Sequence, residues 1–447
     1  MAAPAAAGAR RAYDVLLYGA TGWTGVFAAR YLVDNYLPWG APVRWALGGR
    51  DRRKLEALVE RLAREVPARA AEVRAVPLVV FDALGDYAAV LKAARETVVM
   101  ASVAGPFAEF GEPVVRACVE AGTHYVDITG ETPWIGDMID RYDSKARAQG
   151  AFIVPSCGFD SVPSDLLTLV CVQALRAKGL RPGSVRAYLH SFAANNMPVT
   201  WSGPKPGGGT IASLLGFAEK RQLGALSDPY FLVRGAPGPA AGELAKARSR
   251  KDAGKMPALR PGYDGALQGR NRWTTHFLMA WINEKTVRRS AFLLRYGPDF
   301  SYAEGLAVAN PLFALVVAAL MWLLYAVVAL PGGTRLLRRL LPQGSQTPPP
   351  RPAQYKPGHF EFVAVGESVP ESAGQAPTRV HATFFGPDDG GYTETSKMLL
   401  ESALTLAFDL EAVKRASGFA GGVLTPAVLG DKLVQRLRAK HMRIEVR

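Results

Sequence analysis

Tyr18-Gly19-Ala20-Thr21-Gly22-Trp23-Thr24-Gly25 constrains this chain more than any other stretch. It follows the apolar run Val15-Leu16-Leu17 and opens into a helical pattern from Phe27 to Leu32. A buried strand that feeds a glycine-rich turn and then a helix is the arrangement by which a Rossmann unit holds a diphosphate. Each glycine has its own expected task. Gly19 permits the tight turn, Gly22 lets the backbone approach the phosphates, and Gly25 lets the helix lie close to the sheet. The helix N-terminus then presents free N–H groups and the positive end of its dipole to the anion. The spacing G-x-x-G-x-x-G is a weak signal alone; the flanking strand and helix give it force. Gly19, Thr21, Gly22, Trp23, Thr24 and Gly25 are therefore expected to contact the cofactor.

The next element selects which dinucleotide binds. Val43 to Leu47 reads as a second buried strand, ending in Gly48-Gly49-Arg50-Asp51-Arg52-Arg53-Lys54. An NAD site places a carboxylate at this point for the ribose 2′-OH, whereas an NADP site places cations there for the 2′-phosphate. Arg50 holds that position, and its guanidinium matches a phosphate with two parallel hydrogen bonds. Arg50 and Lys54 are expected to bind the 2′-phosphate. The alternative is a merely solvated helix start. Asp51 is expected to be the N-cap of a helix whose apolar positions are Leu55, Leu58, Val59, Leu62 and Val66.

Strand and helix patterns alternate over residues 13–159, with further strands expected at Val76–Phe81, Thr97–Val103, His124–Ile128 and Phe152–Val154. Helices are expected at Tyr87–Ala94, Pro113–Ala121 and Met138–Ala148, with Pro113 in a first turn and Gly122 as a C-terminal stop. This rhythm predicts a parallel sheet covered on both faces, with the ligand beyond the carboxyl ends of its strands. Asp82, ending the third strand, is placed at the adenine edge. Ala104 and Gly105, ending the fourth, are small enough to let the nicotinamide half lie close. Asp127 and Glu131 end the fifth strand, and Asp160 follows the sixth. These three carboxylates are the candidate catalytic groups, because hydride transfer to a substrate double bond needs a proton delivered to the neighbouring atom. A carboxylate does this only if burial raises its pKa, and each of the three has a competing reading as a turn or helix cap. Cys157, in the turn nearby, reads either as a reactive thiol or as a small buried residue.

Residues 160–390 lose the alternation and are assigned to a second, α+β domain for substrate binding and dimerisation, a homodimer being the expected assembly. Residues 391–447 are expected to form helices that pack back on the core. Residues 1–12, alanine-rich with Arg10 and Arg11, read as a disordered arm. Within the second domain, 306–330 is an apolar segment, uncharged for 20 successive residues from Pro311 to Leu330, and 342–357 is a proline-rich connector. Twenty helical residues reach about 30 Å, the thickness of a hydrocarbon core. A single crossing would put the two ends of one folded unit in different compartments. A hairpin bent near Gly305–Pro311, or a helix embedded in one leaflet, avoids that conflict; a buried core helix is the alternative. The net charge of +14 suits an anionic cofactor or a membrane surface. No nucleic-acid module and no metal-ligand spacing is evident. The three cysteines, Cys118, Cys157 and Cys171, are too few for a disulfide framework.

Six stretches in this order resemble the saccharopine dehydrogenase-like oxidoreductases, which include trans-acting enoyl reductases of bacterial lipid synthesis. They are Gly19–Gly25, Gly49-Arg50, Val103-Ala104-Gly105-Pro106-Phe107, His124–Glu131, Cys157–Asp165 and Gly421–Ala427. The resemblance runs from Tyr13 to the C-terminus. It implies an NADP-binding Rossmann domain, an inserted α+β domain and a C-terminal segment returning to the core. For eukaryotic members it also implies association with lipid droplets or membranes, in some cases mitochondrial. The expected activity is NADP(H)-dependent oxidation or reduction of a lipid-like substrate at a membrane or lipid-droplet surface. Two alternatives are a non-catalytic membrane-associated protein that keeps the Rossmann fold, and a saccharopine-type amino-acid dehydrogenase.

Overall fold

A computed structural model describes residues 10–40, 42–193, 199–200, 203–204, 228–234, 261–269, 271–330, 332–333, 339, 358–372 and 374–447. The proline-rich connector 342–357 and most of 205–260 lie outside the described residues. The first sheet has strands β1 (Tyr13–Tyr18), β2 (Trp45–Gly49), β3 (Leu78–Val80), β4 (Thr97–Ser102), β5 (His124–Asp127) and β6 (Phe152–Val154). Helices α1 (Trp23–Asn35), α2 (Arg52–Glu65), α3 (Ala70–Arg74), α4 (Tyr87–Arg95), α5 (Phe107–Ala121) and α6 (Thr132–Gln149) connect them. All its pairings are parallel, as buried apolar strands joined by helical crossovers require. From one edge the order is β6-β5-β4-β1-β2-β3, so the chain reverses direction between β1 and β4. The crevice at that switch point is where the glycine turn lies.

Helix α7 (Val162–Ala177) carries the chain into a second, mixed sheet. Its strands are β7 (Pro182–Ala193), β10 (Gly262–Tyr263), β11 (Trp273–Thr275), β12 (Ser301–Val308), β13 (His359–Ser368), β14 (Arg379–Gly386) and β16 (Arg443–Val446). A separate two-stranded piece, β8 (Val199–Thr200) with β9 (Gly203–Pro204), follows β7. Helices α8 (Ala280–Leu293) and α9 (Pro311–Ala329) flank β12. The order β10-β11-β12-β7-β13-β14-β16 gives one inner face, where Val185, Ala187, Phe360, Phe362, Ala382 and Phe384 meet α7. Along β14 buried residues alternate strictly with less buried ones, the period-two signature of a sheet with one covered face.

The C-terminal segment returns to the first domain. Helix α10 (Thr395–Phe408) buries Leu399, Leu400, Leu404 and Leu406 completely. At about 2 kcal/mol per leucine, that burial outweighs the cost of enclosing Glu401 beneath it. Glu401 Oε1 accepts from the hydroxyls of Tyr31 and Tyr36, which fixes α10 against α1. After α11 (Leu410–Ser417), strand β15 (Gly422–Val423) extends the parallel sheet beside β6. Helix α12 (Gly430–Ala439) then leads into β16.

Three local features differ from the sequence reading. Helix α5 begins at Phe107, so Pro113 lies inside it rather than in a first turn. The missing start signal is supplied from outside, by the Glu131 carboxylate. Arg11, at the border of the expected arm, donates to the carbonyls of Ala121 and Gly122 at 2.8 and 3.2 Å and also to Thr123 Oγ1. Residues 306–308 belong to β12, and α9 starts only at Pro311, capped by the Asn310 side chain on Leu312 N at 2.8 Å. No membrane hairpin therefore bends at Gly305–Pro311. Helix α9 packs a narrow seam, Ala314 and Ala318, against the second sheet. Among the described residues no helix is long and apolar enough to cross a membrane. The seam gives the physical reason that α9 in particular is unsuited to spanning: one of its sides is already committed to protein.

Candidate functional site

The glycine turn is built on contacts that exclude any side chain at two of its three glycines. Gly19 has φ +87°, and a Cβ there would stand 2.9 Å from Ala104 N. A Cβ on Gly25 would stand 2.2 Å from the Gly19 carbonyl oxygen. Gly22 differs: its nearest neighbour would be the Gly19 oxygen at 3.3 Å, and nothing else lies within 4 Å. The surface over Gly22 is thus open, while Gly19 and Gly25 hold the loop closed on itself. The N–H groups of Gly19 and Ala20 donate to Gly48 O at 3.0 and 3.1 Å, and Gly22 N–H returns to Gly19 O at 3.0 Å. Gly22 is the N-cap of α1 and, having no side chain, cannot cap it, so the first-turn N–H groups keep their capacity for an anion.

At the end of β2, Arg50 and Lys54 are exposed. Asp51 caps α2 through Lys54 N at 3.1 Å, as its sequence position predicts. Tyr18 stacks on Phe81 at 4.4 Å, and its hydroxyl accepts from Ala83 N at 3.3 Å. Asp82 is exposed beside them, with Oδ1 accepting from Leu84 N at 3.1 Å. Ala104 touches the glycine turn directly, and Gly105 follows it. Gly19, Thr21, Gly22, Arg50, Asp82, Ala104 and Gly105 thus follow the carboxyl ends of β1 to β4, and Trp23, Thr24, Gly25 and Lys54 lie in the first turns of α1 and α2.

The three candidate carboxylates separate clearly. Asp127 is buried; its Oδ1 accepts from Thr129 N and Ser156 N, both at 2.9 Å, tying the β5–α6 turn to the turn after β6. Burial pushes its pKa up to about 7, against the pull of those two N–H groups. Glu131 accepts from Phe107 N and Ala108 N, both at 2.8 Å, and so caps α5. Asp160 is half-buried and accepts no hydrogen bond and joins no ion pair among the described residues. Burial alone raises its pKa to about 6. Its Oδ2 faces Gly130, where a Cβ would stand 3.7 Å away, and Ile282 of α8 closes the same space. Cys157 is fully buried, with its thiol on Val154 O at 3.3 Å, and burial raises its pKa. That is the small buried residue, not the reactive thiol. His124 is held near pKa 3 by burial, and its Nδ1 accepts from Phe152 N at 3.1 Å.

Residues 15–154 match the family model described as the saccharopine dehydrogenase NADP binding domain. A trans-acting enoyl reductase of Mycobacterium tuberculosis (strain ATCC 25618 / H37Rv) is 32% identical over 455 residues, 96% of each chain. The chain belongs to the saccharopine dehydrogenase-like oxidoreductases. A trans-acting enoyl reductase of Mycobacterium ulcerans (strain Agy99) is 30% identical, again over 96% of each chain. The apo saccharopine dehydrogenase (L-Glu forming) of Saccharomyces cerevisiae shares the fold, with TM-score 0.51 and 14% identity over 97% of this chain and 99% of that one.

As a member of this family the protein is an NADP-dependent oxidoreductase. The residues present fit the cofactor. The open surface over Gly22 and the first turn of α1 would take the diphosphate, and Arg50 with Lys54 would take the 2′-phosphate. NADPH, when bound, supplies the hydride. The chain's own part is to orient that group, exclude water and hold a proton nearby.

Sequence reasoning missed Tyr392. The segment Gly390–Glu394 forms a π-turn that lays the Tyr392 ring 5.7 Å from both Trp23 and Phe27. The start of the C-terminal segment therefore packs on the first turns of α1, beside the glycine turn. Only the glycine pair Gly390-Gly391 hinted at it. The Gly421–Ala427 motif is also explained: Asp165 Oδ2 accepts from Ala427 N at 2.8 Å, locking that segment to the start of α7. Among the described residues no group of His, Cys, Asp or Glu is placed to hold a metal ion.

Proposed function

We propose that this oxidoreductase is an NADPH-dependent enoyl reductase for a lipid-like substrate, with Asp160 as the proton donor. The observation that carries the reading is the state of that carboxyl. Asp160 is the one of the three candidates with no hydrogen bond or ion pair among the described residues, and burial raises its pKa to about 6. It therefore gives up a proton readily and regains one from solvent through its open side. Asp127 and Glu131 position the two loops beside it. The mycobacterial relatives are trans-acting enoyl reductases, which supports the reaction class.

The reading includes a place of work. Helix α9 exposes Leu312, Phe313, Leu315, Val316, Leu320 and Leu323, each between 47% and 66%. Moving four such side chains from water into hydrocarbon is worth about 6 kcal/mol. Arg335, Arg338 and Arg339 follow in the sequence, matching anionic headgroups. We assign α9 to lie in one leaflet of a membrane or in a lipid-droplet monolayer, its alanine seam on the protein and its other sides in lipid.

The test is NADPH consumption with enoyl thioesters across pH 5 to 9. Activity needs protonated Asp160, so kcat/KM falls tenfold per unit above about pH 6. Asp160→Asn removes that limb and lowers the rate about 10²- to 10⁴-fold. An unchanged rate and pH profile in the variant excludes the assignment.

A further inference from the structure

The turn that carries Asp160 is pinned on both sides of that residue, while its carboxyl has no hydrogen bond or ion pair among the described residues. Before it, the Phe159 N–H donates to Thr395 Oγ1 at 3.0 Å. After it, Ser161 Oγ donates to Asn283 Oδ1 of α8 at 3.3 Å, and Asn283 Nδ2 donates to Glu304 Oε1 of β12 at 2.8 Å. Thr395, Ser161, Asn283 and Glu304 are all buried. Two close approaches hold Thr395 in register with the turn. A Cβ on Gly158 would stand 3.1 Å from Thr395 Cγ2, and a Cβ on Gly390 would stand 2.7 Å from the Phe159 ring.

The Thr395 hydroxyl also donates to Gly390 O at 2.8 Å, across the π-turn Gly390–Glu394. One oxygen therefore joins two loops. The same short segment reaches the cofactor side of the molecule. Tyr392 packs on Trp23 and Phe27, and Ser396 Oγ donates to the Thr24 carbonyl at 3.4 Å. Residues 390–396 thus touch both the first turns of α1 and the backbone beside Asp160. That double contact has a chemical use. The reduction delivers a hydride and a proton to neighbouring atoms, and a misplacement of about 1 Å costs on the order of 10²-fold in rate. The two sources stand on different loops, so their spacing depends on what links those loops.

We propose that Thr395 is a positioning residue for the proton donor: it ties the Asp160 turn to the segment that grips the first turns of α1, and so fixes the donor's place relative to the cofactor. The inference rests on the reading of Asp160 as that donor. Valine has threonine's shape without its hydroxyl, so Thr395→Val strands the buried Phe159 N–H and moves the turn toward water. Burial alone holds the Asp160 pKa near 6, with no charged neighbour contributing among the described residues, so added water lowers it. The test is carbon-13 NMR of the full chain labelled at its aspartate carboxyls, with the Asp160 signal assigned by its loss in Asp160→Asn. It is paired with steady-state reduction of a trans-2-decenoyl thioester by NADPH. Thr395→Val should lower the Asp160 midpoint by about one unit and kcat by about tenfold, with KM and NADPH affinity changed less than about twofold. Thr395→Ser keeps the hydroxyl and should restore both; Thr395→Ala is the second hydroxyl-free variant. In an Asp160→Asn background Thr395→Val should cause no further loss of kcat, because no donor remains to be placed. An equal loss in both backgrounds marks a purely structural residue and overturns the inference, as does a wild-type midpoint in both hydroxyl-free variants. Asp160→Asn at the wild-type rate removes the reading of Asp160 and the inference with it. A slow Asp160→Asn beside undisturbed Thr395 variants removes the positioning role alone.

Discussion

Gly22→Ala should weaken cofactor binding by orders of magnitude without harming the fold, and the glycine turn itself gives the magnitudes. Gly22 has φ −73°, which alanine adopts freely. The added methyl would meet only the Gly19 oxygen at 3.3 Å, a contact relieved by a shift of a few tenths of an ångström. Stability should change by less than about 1 kcal/mol. That methyl would, however, fill the space over the first turn of α1, where a diphosphate must approach the backbone. Losing two charge-assisted hydrogen bonds at about 1.5–3 kcal/mol each weakens binding by about 10²- to 10⁴-fold. Gly25→Ala is the control, because its methyl would stand 2.2 Å from the Gly19 backbone oxygen and must distort the loop. NADPH titration calorimetry and thermal melting on both variants separate the two effects. The reasoning fails if Gly22→Ala binds NADPH normally, or if it melts as early as Gly25→Ala.

Arg50→Ala should raise Kd for NADPH far more than for NADH, by a factor of about 10 to 100 for one charge-assisted contact; parallel titrations that show equal losses would refute the 2′-phosphate assignment. Glu304, fully buried and bonded to Ser164, Asn283 and Tyr302, has its pKa pushed up by burial to about 8. The unfolded chain releases this proton near pH 4.5 and the folded chain only near 8, so stability from this group is lost as pH rises across that window. Glu304→Gln should therefore be more stable relative to wild type at pH 8.5 than at pH 5, by a few kcal/mol, as chemical denaturation at the two pH values would show. Glu131→Ala removes the cap on α5 at Phe107 and Ala108 and should cost about 2 kcal/mol; an unchanged denaturation midpoint would show that the cap is dispensable.

The elements legible in the sequence were those written locally. Strand β6 falls where its apolar run lies, and Asp51 caps α2 because the N-cap rule needs only a side chain and an N–H three residues away. Pro113 misled because the start of α5 is set by Glu131, 24 residues distant. The three carboxylates looked equivalent in the sequence, each following a strand. Only their partners distinguish them, and those partners come from other loops.

Alone, the sequence determined that a strand, three spaced glycines and a helix would make an anion-binding turn, and that cations would follow the next strand. Both depend on backbone conformation and charge within a few residues. The tertiary structure decided what the rest of the chain does with that turn. It brought Tyr392 over Trp23, placed Asp160 beside Gly130 with no partner among the described residues, and tied α9 to β11 through Thr275. Such contacts arise from sheet register and burial between segments well separated along the chain, which no local pattern encodes.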